Sequence, residues 1–174
     1  MKEIRELLKG EKCLRDTEYT ECVKDLLKDP KCQQMIEYIQ HGNTTTFKHC
    51  LDVSYFTYRV CKAYGLDYRS AARGALLHDF FLYDWHGYAR KTGNYFHGFT
   101  HPRVALHNAN HYFDLNEIEQ DIIVKHMWPL TVVPPKYKEG YVVMYADKHC
   151  GFVETTRRIK HAGGHFCRNV LKIT

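Results

Sequence analysis

Hydrophobic side chains recur at helical spacing along almost the whole chain. Val23, Leu26 and Leu27, for example, form one apolar face within residues 16–28, and a repeat of about 3.6 residues is typical of an amphipathic helix. Alternation of apolar and polar residues, which would indicate strands, is nearly absent, and 130–133 is the only weak candidate. The pattern therefore predicts an all-α fold.

Residues that favour helix ends place the boundaries of the first helices. A helix that begins at Pro30 is expected to reach about Gln40, with Gly42 as its C-terminal stop. Thr46 can cap the next helix, which ends just before Gly65, and Asp67 can cap the one after it. These last two helices are expected to pack as a pair.

The second half of the chain contains similar signals. Thr100 can cap a helix that runs to about residue 111, and Asp114 with Glu117 resembles a capping box. The helix that follows this box is expected to end near His126. A last long helix then begins at about Gly140.

Residues 80–99 break the helical pattern. Phe, Tyr, Trp and Gly follow one another there without a consistent period, which predicts a long aromatic loop and a candidate lid. Its aromatic side chains could stack on a nucleobase or could cover the core, and we slightly favour the second interpretation. The side chains in question are Tyr83, Trp85, Tyr88, Tyr95 and Phe96.

The composition is that of a globular protein. The chain has 174 residues, of which 44% are hydrophobic and 26% charged, and its formal net charge is +5. This length favours a single domain with a substantial core. No apolar run approaches the roughly 20 residues of a membrane span, and the Lys- and Glu-rich start lacks the apolar segment of a secretory signal.

The cysteines give a further indication of the compartment. Seven of them are scattered along the chain without a CxxC pair, which favours reduced thiols over a disulfide framework or a structural zinc site. Together with the absence of a signal segment, this predicts a cytoplasmic protein.

Positive charge is concentrated towards the C-terminal end. No acidic residue follows Glu154, whereas five basic residues do: Arg157, Arg158, Lys160, Arg168 and Lys172. We favour a solvated helix end over a contact with nucleic acid for this segment. The sequence thus suggests an N-terminal helical extension over 1–45, a core over 46–156 and a basic tail over 157–174, all within one domain.

Five segments place a metal-ligating residue where a core residue belongs. His49 continues the apolar face of Val53 and Phe56, and Asp147 follows Val143 by one helical turn. By the same reasoning the whole set is expected to face the core. Its members are His49, His78 with the adjacent Asp79, His101, His126 and Asp147.

The conjunction of these residues, rather than any one of them, indicates a metal site. A single buried histidine is more often a hydrogen-bonded core residue than a ligand. Two buried carboxylates, Asp79 and Asp147, are costly to desolvate without a positive partner, and their helical faces offer no Lys or Arg. Imidazole nitrogens with carboxylate oxygens suit iron, manganese, cobalt, nickel or zinc better than calcium or magnesium.

At this point the sequence resembles a family, the HD-domain metal-dependent phosphohydrolases, named for an adjacent His–Asp pair. The resemblance covers about residues 46–155, from Thr-Phe-Lys-His49 through Ala-Leu-Leu-His78-Asp79 to Tyr-Ala-Asp147-Lys. Thr-His101-Pro and Val-Lys-His126 match the longer motif of members that hold two metals. The spacing is most similar to that of small dinucleotide-polyphosphate hydrolases.

The resemblance implies a helical bundle with two divalent metal ions among its five central helices. It assigns one ion to His49, His78, Asp79 and Asp147, and the other to His101, His126 and a bridging Asp79. It also implies hydrolysis of a nucleotide or dinucleotide phosphoester or phosphoanhydride by a metal-activated bridging water.

Basic residues near the ligands in sequence are candidates for phosphate contacts. Lys148 and Arg103 complete the predicted catalytic set with Asp79, and Lys125 is a further candidate. For each of these basic residues a solvated helix position is at least as favourable. The sequence departs from many family members after the His–Asp pair, because residues 80–85 stand where those members carry a substrate-binding lysine.

One ligand assignment has an alternative. His97 lies four residues before His101, and we prefer His101 because a helix positions it more rigidly. The other histidines are expected to lie on the surface or to contact a metal ligand without binding the metal themselves. They are His41, His86, His107, His111, His149, His161 and His165.

Two other functions remain open at this stage. The same ligand set in some superfamily members holds a mixed-valent di-iron pair that activates oxygen, and a non-catalytic regulatory module could also retain metals. The expected partner is a small phosphorylated molecule, first of all a nucleotide. Neither a membrane nor a nucleic acid is expected as a partner, and a homodimer is one option for the oligomeric state.

Overall fold

The computed structural model describes residues 10–85, 87, 93 and 96–170, with the backbone alone at position 41 and over 157–170. Helices dominate, which confirms the prediction of an essentially all-α protein. They are α1 (Thr17–Lys28), α2 (Pro30–Gln34), α3 (Thr46–Ala63), α4 (Tyr68–Leu77), α5 (His97–Tyr112), α6 (Glu117–Lys125) and α7 (Lys138–Val170). Within these described ranges no helix is both long and apolar enough to cross a membrane.

Shorter elements connect the first helices. Two 3-10 turns cover Lys12–Arg15 and Met35–Glu37, and an antiparallel hairpin pairs β1 (Ile39–His41) with β2 (Thr44–Thr45). The α7 helix extends to Val170, so the basic residues up to that point continue the helix that carries Asp147.

The core lies around α3 and α4, which pack closely against each other. α3 also contacts α7, and α4 also contacts α1 and α6. At Gly74 an added Cβ atom would lie 3.1 Å from atoms of Ile122, so glycine permits the close approach of α4 and α6. This approach brings the C-terminal ends of the two helices together.

Local capping accounts for the predicted boundaries of α1, α3 and α4. Asp16 accepts a hydrogen bond from the backbone N–H of Tyr19 at 3.1 Å, and Asp67 accepts one from Ser70 at 3.0 Å. The cap of α3 is Thr45, which accepts from Lys48 at 3.2 Å. The prediction of Thr46 was therefore wrong by one residue.

The predicted helix from Pro30 to about Gln40 was wrong in its second half. The α-helix ends at Gln34, and the chain turns into the hairpin, where Gly42 adopts φ +62° in the turn and does not end a helix. The cause is pairing with a later segment, because the Tyr38 carbonyl accepts from the Thr46 N–H at 2.8 Å. As a result, the side chain of Gln40 enters the core.

Two predicted helix starts were also displaced. α5 begins at His97, and the Thr100 hydroxyl donates to the Phe96 carbonyl at 3.1 Å and does not cap the helix. The capping box of α6 is formed by Asn116 and Glu119, two residues after the expected pair. Asn116 is selected by a tertiary contact, since its side-chain amide donates to Ser70 Oγ on α4 at 2.8 Å.

The remaining expectations concern the loops and thiols. Residues 130–133 form turns and bends and no strand. The predicted loop over 80–99 lies partly outside the described residues, and its last three positions belong to α5. The described cysteines are unpaired, in agreement with reduced thiols: Cys13, Cys22, Cys32, Cys50, Cys61 and Cys150.

The capping box offers a first test of the fold. Replacement of Asn116 by alanine removes the bond to the Glu119 N–H, 2.9 Å long, and the bond to Ser70. We expect the free energy of unfolding to fall by about 1–2 kcal/mol, measured by urea unfolding. Asn110→Ala, at an exposed position of α5, is the control, and an equal change in both variants would contradict this role of Asn116.

Candidate metal centre

The predicted ligands converge from five helices on one small volume. Their positions are His49 in the first turn of α3, His78 and Asp79 after the last residue of α4, His101 on α5, His126 after the last residue of α6, and Asp147 on α7. All are buried except Asp147, whose side chain is 16% exposed. The structure therefore brings together every residue that was predicted to bind metal.

A first group of candidate ligands consists of His49, His78 and Asp79, whose ligand atoms all lie within 4.8 Å of one another. Asp147 adjoins this group, since its Oδ1 lies 3.0 Å from His49 Nε2 and 3.6 Å from His78 Nε2. The four residues that the family resemblance implies for one metal therefore lie close together, and their assignment to one ion stays a prediction.

A second group consists of Asp79, His101 and His126, again within 4.8 Å. Asp79 Oδ1 lies 3.1 Å from His101 Nε2 and 3.6 Å from His126 Nε2. His101 rather than His97 thus supplies the ring nitrogen in this segment. Asp79 belongs to both groups, as a bridging ligand would.

Backbone carbonyl groups fix the orientation of three of the imidazole rings. In each, the Nδ1–H group donates to a carbonyl three or four residues earlier, so Nε2 carries the lone pair that faces the cluster. The three bonds run from His78 to Ala75 at 2.7 Å, from His101 to His97 at 2.8 Å, and from His126 to Ile123 at 2.8 Å.

Two buried polar atoms in the cluster are left without a hydrogen-bond partner among the described residues. They are Nε2 of His78 and Oδ1 of Asp79, and each unsatisfied group of this kind costs about 1–3 kcal/mol. In addition, the Nε2 atoms of His101 and His126 approach each other to 2.9 Å, although both are acceptors in this tautomer. A cation bound between these atoms would satisfy all of them, so the residues fit a transition-metal ion.

The electrostatics of the cluster also favour a bound cation. Burial lowers the pKa of His49, but hydrogen bonds with Asp147 and Glu154 outweigh it and raise the pKa to about 10. Burial also opposes charge on His78, yet the neighbouring Asp79 carboxylate raises its pKa well above the usual value. Positive charge next to the carboxylates is thus stabilised. Protons on the histidines or a bound metal ion can supply this charge, and the two compete for the same ring nitrogens.

His126 differs from these two histidines. Burial, together with the charges of His78 and His101, lowers the pKa of His126 to about 3. Its imidazole is therefore neutral near pH 7, which is the state that a metal ligand requires.

Two residues behind the ligands were missed by the sequence analysis. Both carboxylate oxygens of Glu154 lie 3.1 Å from His49 Nδ1. The sequence does contain a signal for Glu154, because it follows Asp147 by seven residues, or two helical turns, and so lies on the same face of the helix. Gln40 donates from its amide to Asp79 Oδ2 and accepts from the Thr46 hydroxyl at 3.2 Å, and no sequence signal placed it there because it lies on the unpredicted hairpin.

A cleft of about 940 Å³ opens onto the cluster. Asp79, His101, His126 and Asp147 lie along its inner surface, whereas its wall is largely apolar. The apolar side chains that line it are Trp85, Met127, Pro129, Leu130 and Phe152. A molecule bound in this cleft would therefore contact candidate ligands of both groups.

The basic residues predicted to contact phosphate occupy different surroundings. Lys148 lines the cleft, and its ammonium group donates to the Trp128 carbonyl at 3.2 Å. Arg103 is exposed on α5 and is not among the described residues that line the cleft. Lys125 forms an ion pair with Asp121. The roles of all three in substrate binding stay predictions.

The predictions for the aromatic residues and for the remaining histidines can be compared with the structure where their side chains are described. Trp85 lines the cleft and stacks on His97 at 5.1 Å between ring centroids. His107, His111 and His149 are exposed, as expected. Several other assignments concern side chains outside the described part of the structure, namely His41, His86, Tyr88, Tyr95, His161 and His165.

Comparison of the chain with protein-family models, with curated proteins and with solved structures finds no match in any of the three. The resemblance to the HD-domain family therefore stays a prediction from the motif residues. The evidence for a metal centre is the geometry of the cluster itself.

Proposed function

We propose that this protein is a metal-dependent phosphohydrolase that acts on a phosphoester or phosphoanhydride of a small molecule, first of all a nucleotide or dinucleotide. One observation carries the proposal: two groups of candidate ligands share Asp79 on the inner surface of an open cleft. A purely structural metal site would be closed by protein ligands, whereas a catalytic site keeps positions open to substrate or water.

The side chains around the cleft support a water nucleophile. Among the described residues that line it there is no serine or cysteine, and the hydroxyl of the threonine in the lining, Thr155, donates to the Gly151 carbonyl at 2.8 Å. Bound divalent ions would lower the pKa of a coordinated water towards neutrality and polarise a phosphoryl oxygen. The carboxylates of Asp79 and Asp147 would hold these ions, and the hydrogen bonds of three histidines direct their Nε2 atoms to the same volume.

Other side chains are suited to bind the substrate. Lys148 is an exposed residue that lines the cleft, and its ammonium group can move from the Trp128 carbonyl to a phosphate oxygen, which is a stronger acceptor. The aromatic rings of Trp85 and Phe152 line the same cleft, and stacking of a base on such a ring contributes about 1–3 kcal/mol.

The test is turnover by protein loaded with a defined metal. The chain is stripped with a chelator, reloaded with Mn²⁺, Fe²⁺ or Zn²⁺, and incubated with mononucleotides, dinucleotide polyphosphates and simple phosphate monoesters. We expect release of phosphate or of a nucleotide, with one oxygen atom from ¹⁸O-labelled water in the product. His101→Ala should abolish this release, and His107→Ala, at an exposed position on the same helix, should not.

Two outcomes would contradict the proposal. One is the absence of any hydrolysis by protein whose metal content has been verified. The other is oxygen consumption by the Fe²⁺ form without hydrolysis, which would favour the di-iron oxygenase.

A further inference from the structure

We infer that the two cation positions are unequal, and that Glu154 is the positioning residue that makes them so. The position formed by His49, His78, Asp79 and Asp147 is the tighter one, and the position formed by Asp79, His101 and His126 is the weaker and exchangeable one. This inference rests on the two-cation centre of the proposed function.

The distribution of negative charge is the first argument. The position next to His49 has two carboxylates within reach, Asp79 and Asp147, whereas among the described residues the group that contains His126 includes Asp79 as its single carboxylate. Because the attraction between a divalent cation and its ligands grows with each anionic group, the first position binds the cation more strongly.

The group behind each histidine is the second argument. His78, His101 and His126 donate from Nδ1 to neutral backbone carbonyls, but His49 faces the Glu154 carboxylate with both oxygens at 3.1 Å. A carboxylate behind a ligating imidazole fixes its orientation and raises its basicity. His49 is therefore the strongest nitrogen donor of the four.

The surroundings of Glu154 favour this role. Its side chain is only 7% exposed, and its hydrogen bonds within the described structure are those with His49. The nearby ammonium group of Lys48 is engaged by Glu11 and Asp52 instead. Among the described residues, His49 is thus the hydrogen-bond partner of the Glu154 carboxylate.

Access from solvent is the third argument. All three residues of the second position, Asp79, His101 and His126, line the cleft, whereas the first position reaches it only through Asp79 and Asp147 among the described residues. His49 and His78 are not among the described lining residues and are fully buried. A cation at the first position is thus enclosed on its histidine side. The second position is open to substrate and to exchange.

The experiment is a titration of metal-stripped protein with Mn²⁺, followed by calorimetry and by electron paramagnetic resonance of free Mn²⁺. For the unaltered chain we expect two resolved steps, one tight and one weak. Glu154→Gln should lower the affinity of the tight step by about 10-fold to 100-fold and leave the weak step unchanged. Glu154→Asp, which restores the charge, should bind at the tight step better than Glu154→Gln.

Two further variants act as controls. His126→Ala should remove the weak step and keep the tight one. Glu139→Gln should change neither step, although Glu139 is also a buried carboxylate of α7 with a hydrogen bond, accepted from the Asp67 N–H at 3.0 Å. Circular dichroism of each stripped variant establishes that it is folded.

The outcomes separate this inference from the proposed function. Equal affinities at the two positions, or an equal loss of affinity at both steps in Glu154→Gln, would overturn the inference. Neither result would contradict the proposed phosphohydrolase function. Absence of Mn²⁺ binding to the unaltered chain would instead contradict the proposed function itself.

Discussion

Replacement of Asp79 by alanine is expected to remove both cations and with them all metal-dependent turnover. Asp79 is the one residue common to both groups of candidate ligands. Its carboxylate lies 3.1 Å from His101 Nε2 on one side and 3.4 Å from His78 Nε2 on the other. Without it the second position loses the one carboxylate that the described residues give it, and the first loses one of two.

Elemental analysis of protein that has been loaded with metal and desalted measures this effect. His126→Ala should retain one cation, and His107→Ala should retain both. Thermal unfolding gives an independent readout, since a cation at 100 times its Kd stabilises the native state by about 2.7 kcal/mol. That metal-induced stabilisation should vanish in Asp79→Ala. Equal metal loss in Asp79→Ala and His126→Ala would show that Asp79 is not the bridge.

Replacement of Arg73 by methionine is expected to destabilise the fold by about 3–5 kcal/mol. Arg73 on α4 donates to Glu119 on α6 at 2.8 Å and to both carboxylate oxygens of Asp25 on α1 at 2.6 and 2.7 Å. The Glu119 side chain is only 4% exposed, so the variant leaves a buried carboxylate without its cation. This loss is large relative to a typical total stability of about 5–15 kcal/mol.

Urea unfolding of the metal-stripped protein measures this loss without a contribution from bound metal. Asp25→Asn is the matched control, because the Asp25 side chain is 59% exposed, and it should change the free energy of unfolding by less than about 1 kcal/mol. The double variant Arg73→Met with Glu119→Gln should recover much of the loss, since no buried charge remains and the amide oxygen can still accept from the Asn116 N–H in the capping box. If the double variant were less stable than Arg73→Met alone, the explanation by an unpaired carboxylate would be wrong.

The candidate metal ligands could be predicted because each lies on a helix or directly follows one, so that nearby residues set its direction. His49 and Asp147 follow from the apolar positions one turn away on their own helices, and the structure places both in the cluster. Helical periodicity is a local property, so it survives even where the predicted end of a helix is wrong. The start of α5 was misplaced by four residues, yet His101 still faces inward.

Features that depend on distant segments could not be predicted in this way. The hairpin that carries Gln40 forms because residues 38–41 pair with the chain near Thr46, and neither segment alone has a strand pattern. The cap of α6 was ambiguous for a similar reason. Both Asp114 and Asn116 are good capping residues, and only the contact between Asn116 and Ser70 on another helix selects between them.

The close approach of α4 and α6 has an electrostatic consequence. His78 and His126 directly follow the C-terminal residues of these two helices, and their ring centroids are 4.9 Å apart. Each helix end carries the equivalent of about half a negative charge, so the field of the backbone adds to that of the side chains. The two helix ends thus strengthen the preference of this centre for a cation over an anion.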